Sequence, residues 1–187
     1  MTQHVCPWWI GYLLLGPLRR ALQDPARILA PYVGAGMTVL EPGPGMGFFT
    51  LDLAHLVGPT GRVVAVDVQS RMLDVLRRRA AKAGLADRVA TRLAQPGGLG
   101  VSDLAGQADF VLAFAVVHEL PDARTFFAEA AASLRPGGVL LFAEPTGHVS
   151  AGAFEDELRA AAAAGLTVQE RPAIRRSHAA LLAKAGG

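Results

Sequence analysis

The run Val39-Leu40-Glu41-Pro42-Gly43-Pro44-Gly45-Met46-Gly47-Phe48-Phe49-Thr50 limits what this chain can fold into more than any other segment. An apolar strand enters a turn with glycine at every second position, and a helical pattern leaves it. A side chain at Gly43, Gly45 or Gly47 would put a Cβ where the chain reverses and where a ligand would approach bare backbone. The segment therefore opens a βα unit, and the periodicity beyond it repeats that unit. It predicts strands at 38–41, 62–68, 88–94, 109–115, 139–144, 166–171 and 178–184. Helices are expected at about 47–57, 70–84, 122–134 and 151–164, with Ser70 and Asp122 as N-caps and Gly84 and Gly165 as stops. The continuously apolar 109–115 run suits the centre of a parallel sheet. The short link between the last two strands predicts an antiparallel pair at the edge. The expected fold class is α/β, a three-layer sandwich with a seven-stranded, mostly parallel sheet and an antiparallel terminal hairpin.

Glycine spacing alone leaves the ligand open. A dinucleotide fingerprint needs a glycine at the sixth position from Gly43, which is Phe48 here. Glu41 is more selective: a carboxylate about 7 Å from a ligand group is worth roughly 2 kcal/mol at an effective dielectric near 20, repelling a pyrophosphate and attracting an ammonium. S-adenosylmethionine carries an ammonium and a nucleoside without phosphate. At these residues the chain resembles the class I S-adenosylmethionine-dependent methyltransferases, whose first motif, acid-x-Gly-x-Gly-x-Gly, is matched by residues 41–47. In that family an acid at the end of the next strand holds both ribose hydroxyls. Asp67, closing Arg62-Val63-Val64-Ala65-Val66, stands in the matching place, followed by Val68. The Leu134-Arg135-Pro136-Gly137-Gly138 turn is similar to the family's as well. The resemblance covers roughly 37–184 and implies a methyltransferase domain over 37–187, S-adenosylmethionine as cofactor and S-adenosylhomocysteine as product. It also implies that Ala94 and Gln95 lie against the adenine and that Phe114 and Ala115 line the cofactor. Gln95 departs from the family's usual acid-alanine pair, and a surface glutamine is the alternative.

The fourth strand leads into Val116-Val117-His118-Glu119-Leu120-Pro121-Asp122. His118 and Glu119 are the best titratable pair for taking a proton from a methyl acceptor; the competing reading has them tether the following helix. The exit lacks the Asn- or Asp-Pro-Pro-aromatic loop that holds an exocyclic amine, so nucleic acid is not the expected acceptor. A small molecule is expected.

With 187 residues, half of them hydrophobic, the chain can bury a sizeable core. Lys and Arg number 18 against 16 Asp and Glu, a net charge of +2, too little for a polyanion-binding stripe. The basic run Arg77-Arg78-Arg79 reads as a solvated helix face. The single cysteine, Cys6, excludes an internal disulfide, and the histidines lack zinc-site spacing, so no metal and a cytoplasmic location are expected. The apolar stretch at 5–15 is too short and too broken by Pro7 and Gly11 for stable membrane insertion. Residues 1–36 form an aromatic-rich lead-in, where Trp8, Trp9 and Tyr12 would shape an acceptor pocket as a lid, pack plainly on the sheet, or lie in a membrane interface. His4 and Cys6 alone are too few ligands for a metalloid site. The sequence leaves the oligomeric state open. Two rivals remain: a nicotinamide-dependent oxidoreductase, which would use Asp67 in the same way, and a non-catalytic S-adenosylmethionine-binding protein.

Overall fold

The computed structural model describes residues 17–184, which divide into two compact units, 17–94 and 95–184. Strand order in the sheet is β3-β2-β1-β4-β5-β7-β6.

In the first unit, short helices α1 (Pro17–Leu22) and α2 (Pro25–Leu29) precede β1 (Thr38–Pro42), α3 (Thr50–Leu56), β2 (Arg62–Asp67), α4 (Ser70–Lys82) and β3 (Val89–Leu93). β1, β2 and β3 run parallel, with Glu41 opposite Ala65 and Asp67 opposite Leu93. The interior of β2, three valines and Ala65, is almost wholly buried, as a central parallel strand requires. Leu73 and Leu76 of α4 pack on Ala65, with Val89 at the margin of the cluster.

Helix α3 starts three residues later than the sequence predicts, because Gly47 has φ +85°, outside the helical region. Ser70 is the first residue of α4 rather than its cap. Gln69 occupies the N-cap without a side-chain bond, and its amide is held instead by Asp67 Oδ1 at 2.8 Å.

The second unit holds β4 (Ala108–Phe114), α5 (Ala123–Ser133), β5 (Leu134–Pro145), α6 (Ala151–Ala163), β6 (Leu166–Glu170) and β7 (Ser177–Lys184). β4 and β5 are parallel, and β7 runs antiparallel to both β5 and β6, as the short 171–176 connection implied. Asp122 caps α5, accepting from the amides of Arg124 and Thr125. The Pro-Gly-Gly segment was expected as a plain helix-to-strand turn. It lies inside β5, where the register jumps from Ala108–Leu134 to Phe110–Val139 and residues 135–138 bulge out. Pro136 has no amide to give a ladder and Gly137 sits at φ +72°. Phe142 of β5 anchors both helices of this unit, meeting Phe127 edge-on at 5.3 Å and stacking on Phe154 at 4.8 Å.

Candidate active site

The glycine turn is built entirely within the first unit. Gly43, Gly45 and Gly47 all have positive φ, and the Gly43 amide donates to Val66 O at 2.8 Å, tying the turn to the end of β2. Asp67 bridges the turn to α4: its Oδ2 accepts from Gly45 N at 3.2 Å and its Oδ1 from Gln69 N. Burial raises the Asp67 carboxyl above the ordinary value, opposed by the amides of Gln69, Gly45 and Val68. Each carboxylate oxygen keeps a lone pair for a further donor.

Glu41, one strand away, is 3% exposed, and its Oε2 has no hydrogen-bond partner among the described residues. Burial pushes its carboxyl up to about 8. The nearby Thr50 hydroxyl opposes that shift without reaching hydrogen-bonding geometry, and the Asp67 charge adds to it. A buried carboxyl with a free oxygen can take a cationic donor, which would return it to the ionised form. Beside Asp67, Val68 and Leu93 are 55% and 57% exposed, two large apolar side chains left in solvent at the carboxyl ends of β2 and β3. The Ala94 amide donates to Asp67 O at 3.0 Å, so β3 ends against the same turn.

Arg79 departs from the expected solvated face. Its guanidinium reaches back from α4 and donates to the carbonyls of Met46 and Gly47, the latter at 3.1 Å, fastening the turn from below. Arg77 and Arg78 remain on the surface, both bonded to Asp74.

A second cluster lies in the other unit. Beyond Phe114, Ala115 adopts φ +55°, a left-handed conformation that costs an alanine about 1 to 2 kcal/mol, and its amide donates to Ala143 O at 2.7 Å. The chain then makes a short 3-10 turn, Val117–Glu119. The carboxylate bonded to the His118 ring is Glu144, at the end of β5, rather than the adjacent Glu119: Nδ1 lies 2.5 Å from Glu144 Oε2. Glu144 is wholly buried, and its Oε1 accepts from the amides of Val117 at 2.7 Å and His118 at 3.3 Å. That bond raises the His118 pKa above the usual histidine value; burial opposes it, and the charges of Glu144, Glu119 and Glu157 reinforce it. Glu157 of α6 is pushed up to about 7 by burial and by the Glu144 charge, with His118 working the other way. The His148 ring meets His118 edge-on at 5.6 Å. Gln95 is exposed in the same unit, on a loop closed by its bridge to Gly98 and held by Glu129, which accepts from Leu99 N at 2.6 Å.

Within the first unit, then, Glu41, the three glycines, Asp67, Val68 and Ala94 come together around one turn. In the second, Phe114, Ala115, His118 and Glu119 share the β4 exit. Trp8, Trp9 and Tyr12 lie outside the described residues. Sequence reasoning missed Arg79, Leu93, Glu144 and Glu157. The acid-ended strand Phe142-Ala143-Glu144 was visible, but its partner could not be seen without the β4–β5 register.

A family model described as a methyltransferase domain matches residues 39–138, just over half of the chain. The chain belongs to the class I methyltransferase domain family. Among curated relatives of the methyltransferase domain, an arsenite methyltransferase from Halobacterium salinarum is 37% identical over 103 residues, covering 55% of this chain and 26% of the relative. A ribosomal protein L11 methyltransferase from Pelotomaculum thermopropionicum is 35% identical over 149 residues, 78% of this chain and 43% of that protein. The chain thus spans between a quarter and a half of the length of these relatives. The crystal structure of a SAM-dependent methyltransferase from Aquifex aeolicus superposes with a TM-score of 0.86 at 24% identity, covering 97% of this chain and all of that one. This likeness matches the mostly parallel seven-stranded sheet with its antiparallel closing pair. Among the described residues, no helix is long and apolar enough to cross a membrane.

Proposed function

We propose that this methyltransferase domain transfers the methyl group of S-adenosylmethionine to a small nucleophilic acceptor by in-line displacement. The observation that carries the reading is Glu41: a buried carboxyl with an unpartnered oxygen, on the strand that feeds the glycine turn, suits the ammonium of an amino-acid moiety and disfavours a pyrophosphate. In this reading Asp67 takes the two ribose hydroxyls on its remaining lone pairs, and Val68 and Leu93 offer apolar surface to the adenine. Gly43, Gly45 and Gly47 admit the ligand against backbone. Ala94 belongs to the same turn, and the family resemblance assigns Gln95, Phe114 and Ala115 to the cofactor as well. When bound, S-adenosylmethionine supplies an electrophilic methyl on a positively charged sulfur.

The chain's own residues then have two tasks. Glu41 and Asp67 grip groups remote from sulfur, so their binding energy orients the methyl without over-stabilising the charge that disappears in the transition state. Alignment of this kind can lower the barrier by about 7 to 11 kcal/mol. His118 accepts the acceptor's proton, with Glu119 adding favourable charge. The aromatic lead-in, with Trp8, Trp9 and Tyr12, is assigned to the acceptor pocket as a lid.

Calorimetric titration tests the cofactor assignment. S-adenosylhomocysteine is expected to bind and NADH is not; tighter binding of NADH would replace the reading with an oxidoreductase. Release of S-adenosylhomocysteine across a panel of small acceptors tests turnover, and cofactor affinity without turnover on any of them would favour a binding protein.

A further inference from the structure

We infer that Glu144 is a positioning residue for His118, holding the ring as the Nδ1–H tautomer so that Nε2 carries the lone pair that takes the acceptor's proton. The inference rests on the proposed methyl-transfer function. Three donors converge on one wholly buried carboxyl. The amides of Val117 and His118 fill Oε1, and Oε2 is left to the ring nitrogen. A carboxylate so used only accepts, so the proton between it and the ring belongs to Nδ1. The ring keeps 17% of its side-chain surface exposed while Glu144 keeps none, so His118 is the member of the pair that a ligand can reach.

The amide bonds also matter mechanically. They fix the 3-10 turn that carries His118 to the same carboxyl that fixes its ring, so backbone and side chain are set by one group from 26 residues away. The groups around the pair are Glu119 on the His118 turn, His148 after β5 and Glu157 on α6, and both carboxyls favour the imidazolium. His178 of β7 is the register partner of Glu144.

In the step this assigns, the acceptor atom bonds to the methyl carbon as the methyl–sulfur bond breaks, and that electron pair goes to sulfur. The acceptor proton passes to Nε2, and the resulting imidazolium is held by Glu144. The pair therefore fits an acceptor that must shed a proton, such as a hydroxyl, rather than a bare lone-pair nucleophile.

The test uses nitrogen-15 NMR of the histidine rings in the full chain, with His118→Asn assigning the signal. Above its titration the His118 ring is expected to show a protonated Nδ1 and an unprotonated Nε2, with an inflection above that of a free histidine. In Glu144→Gln the inflection is expected to fall by a pH unit or more, while S-adenosylhomocysteine affinity changes less than twofold. A neutral ring protonated at Nε2, or an inflection unmoved in Glu144→Gln, overturns the inference. The wild-type tautomer decides even if the variant fails to fold. Failure of the wild type to bind S-adenosylhomocysteine would instead overturn the function on which the inference rests.

Discussion

Glu41 is a group the free protein holds at a cost. Its raised pKa means the folded state favours the proton, so its contribution to stability is complete below the ordinary carboxylate range and is lost as pH rises through about 8. A ligand ammonium reverses that preference. S-adenosylhomocysteine binding near pH 7 is expected to release close to one proton, measurable as a dependence of binding enthalpy on buffer ionisation, and Glu41→Gln is expected to abolish the release. Asp67 has a structural duty as well as a proposed ligand duty, since it already accepts from Gly45 and Gln69. Replacing it with alanine should weaken S-adenosylhomocysteine binding by about 2 kcal/mol, roughly 30-fold, through lost charged hydrogen bonds. Unchanged affinity in the titration would remove the ribose role.

At the scale of the elements, the glycines of the turn are distinguishable. A Cβ at Gly47 would overlap Leu76 Cδ1 and sit 3.5 Å from both Thr50 Oγ1 and Arg79 Nη1, at φ +85°. Gly47→Ala therefore carries both left-handed strain and overpacking, a destabilisation of about 2 to 4 kcal/mol in denaturant melts. A Cβ at Gly45 meets nothing within 4 Å. Gly45→Ala should cost only the conformational strain of about 1 to 2 kcal/mol, yet lose most cofactor affinity, because the added methyl stands where a ligand would approach backbone. Arg79→Met removes the donor to two turn carbonyls and should weaken S-adenosylhomocysteine binding by about 1 to 2 kcal/mol with little change in the helical circular dichroism signal. The α4 pattern showed which face Leu73 and Leu76 bury. It did not show that Arg79 folds back on residues more than thirty positions earlier, because a long flexible side chain has no sequence periodicity of its own.

For the whole molecule, three carboxyls and one histidine that are buried or half-buried hold their protons more tightly in the folded state, whereas burial lowers Arg19 and Arg79. Glu41, Asp67 and Glu157 are raised by burial and His118 by its bond to Glu144. These four folded pKa values lie above their unfolded ones, so through these groups the native state binds more protons and stability falls as pH rises from about 5 to about 8. The exposed Asp122 and Glu155, lowered by their hydrogen bonds, make their change below that window. Urea midpoints at pH 5, 6.5 and 8 should decline in that order without ligand, and Glu41→Gln should flatten the decline. The alternation of strands and helices and the antiparallel close of the sheet were legible in advance, since apolar runs and glycine stops are local signals, whereas the order of the strands in the sheet came only from the structure. So were the glycine turn, its two acids and the Asp122 cap, because each is defined by neighbours a few residues apart. The His118 partner was different. Glu119 is adjacent in sequence, but a 3-10 turn carries the ring to Glu144, and that meeting depends on where β4 and β5 end relative to one another. Residue type and local spacing were enough to determine the fold class and the family. Only the tertiary structure decided which charges are buried and what each one faces, because burial and register are properties of the packed chain.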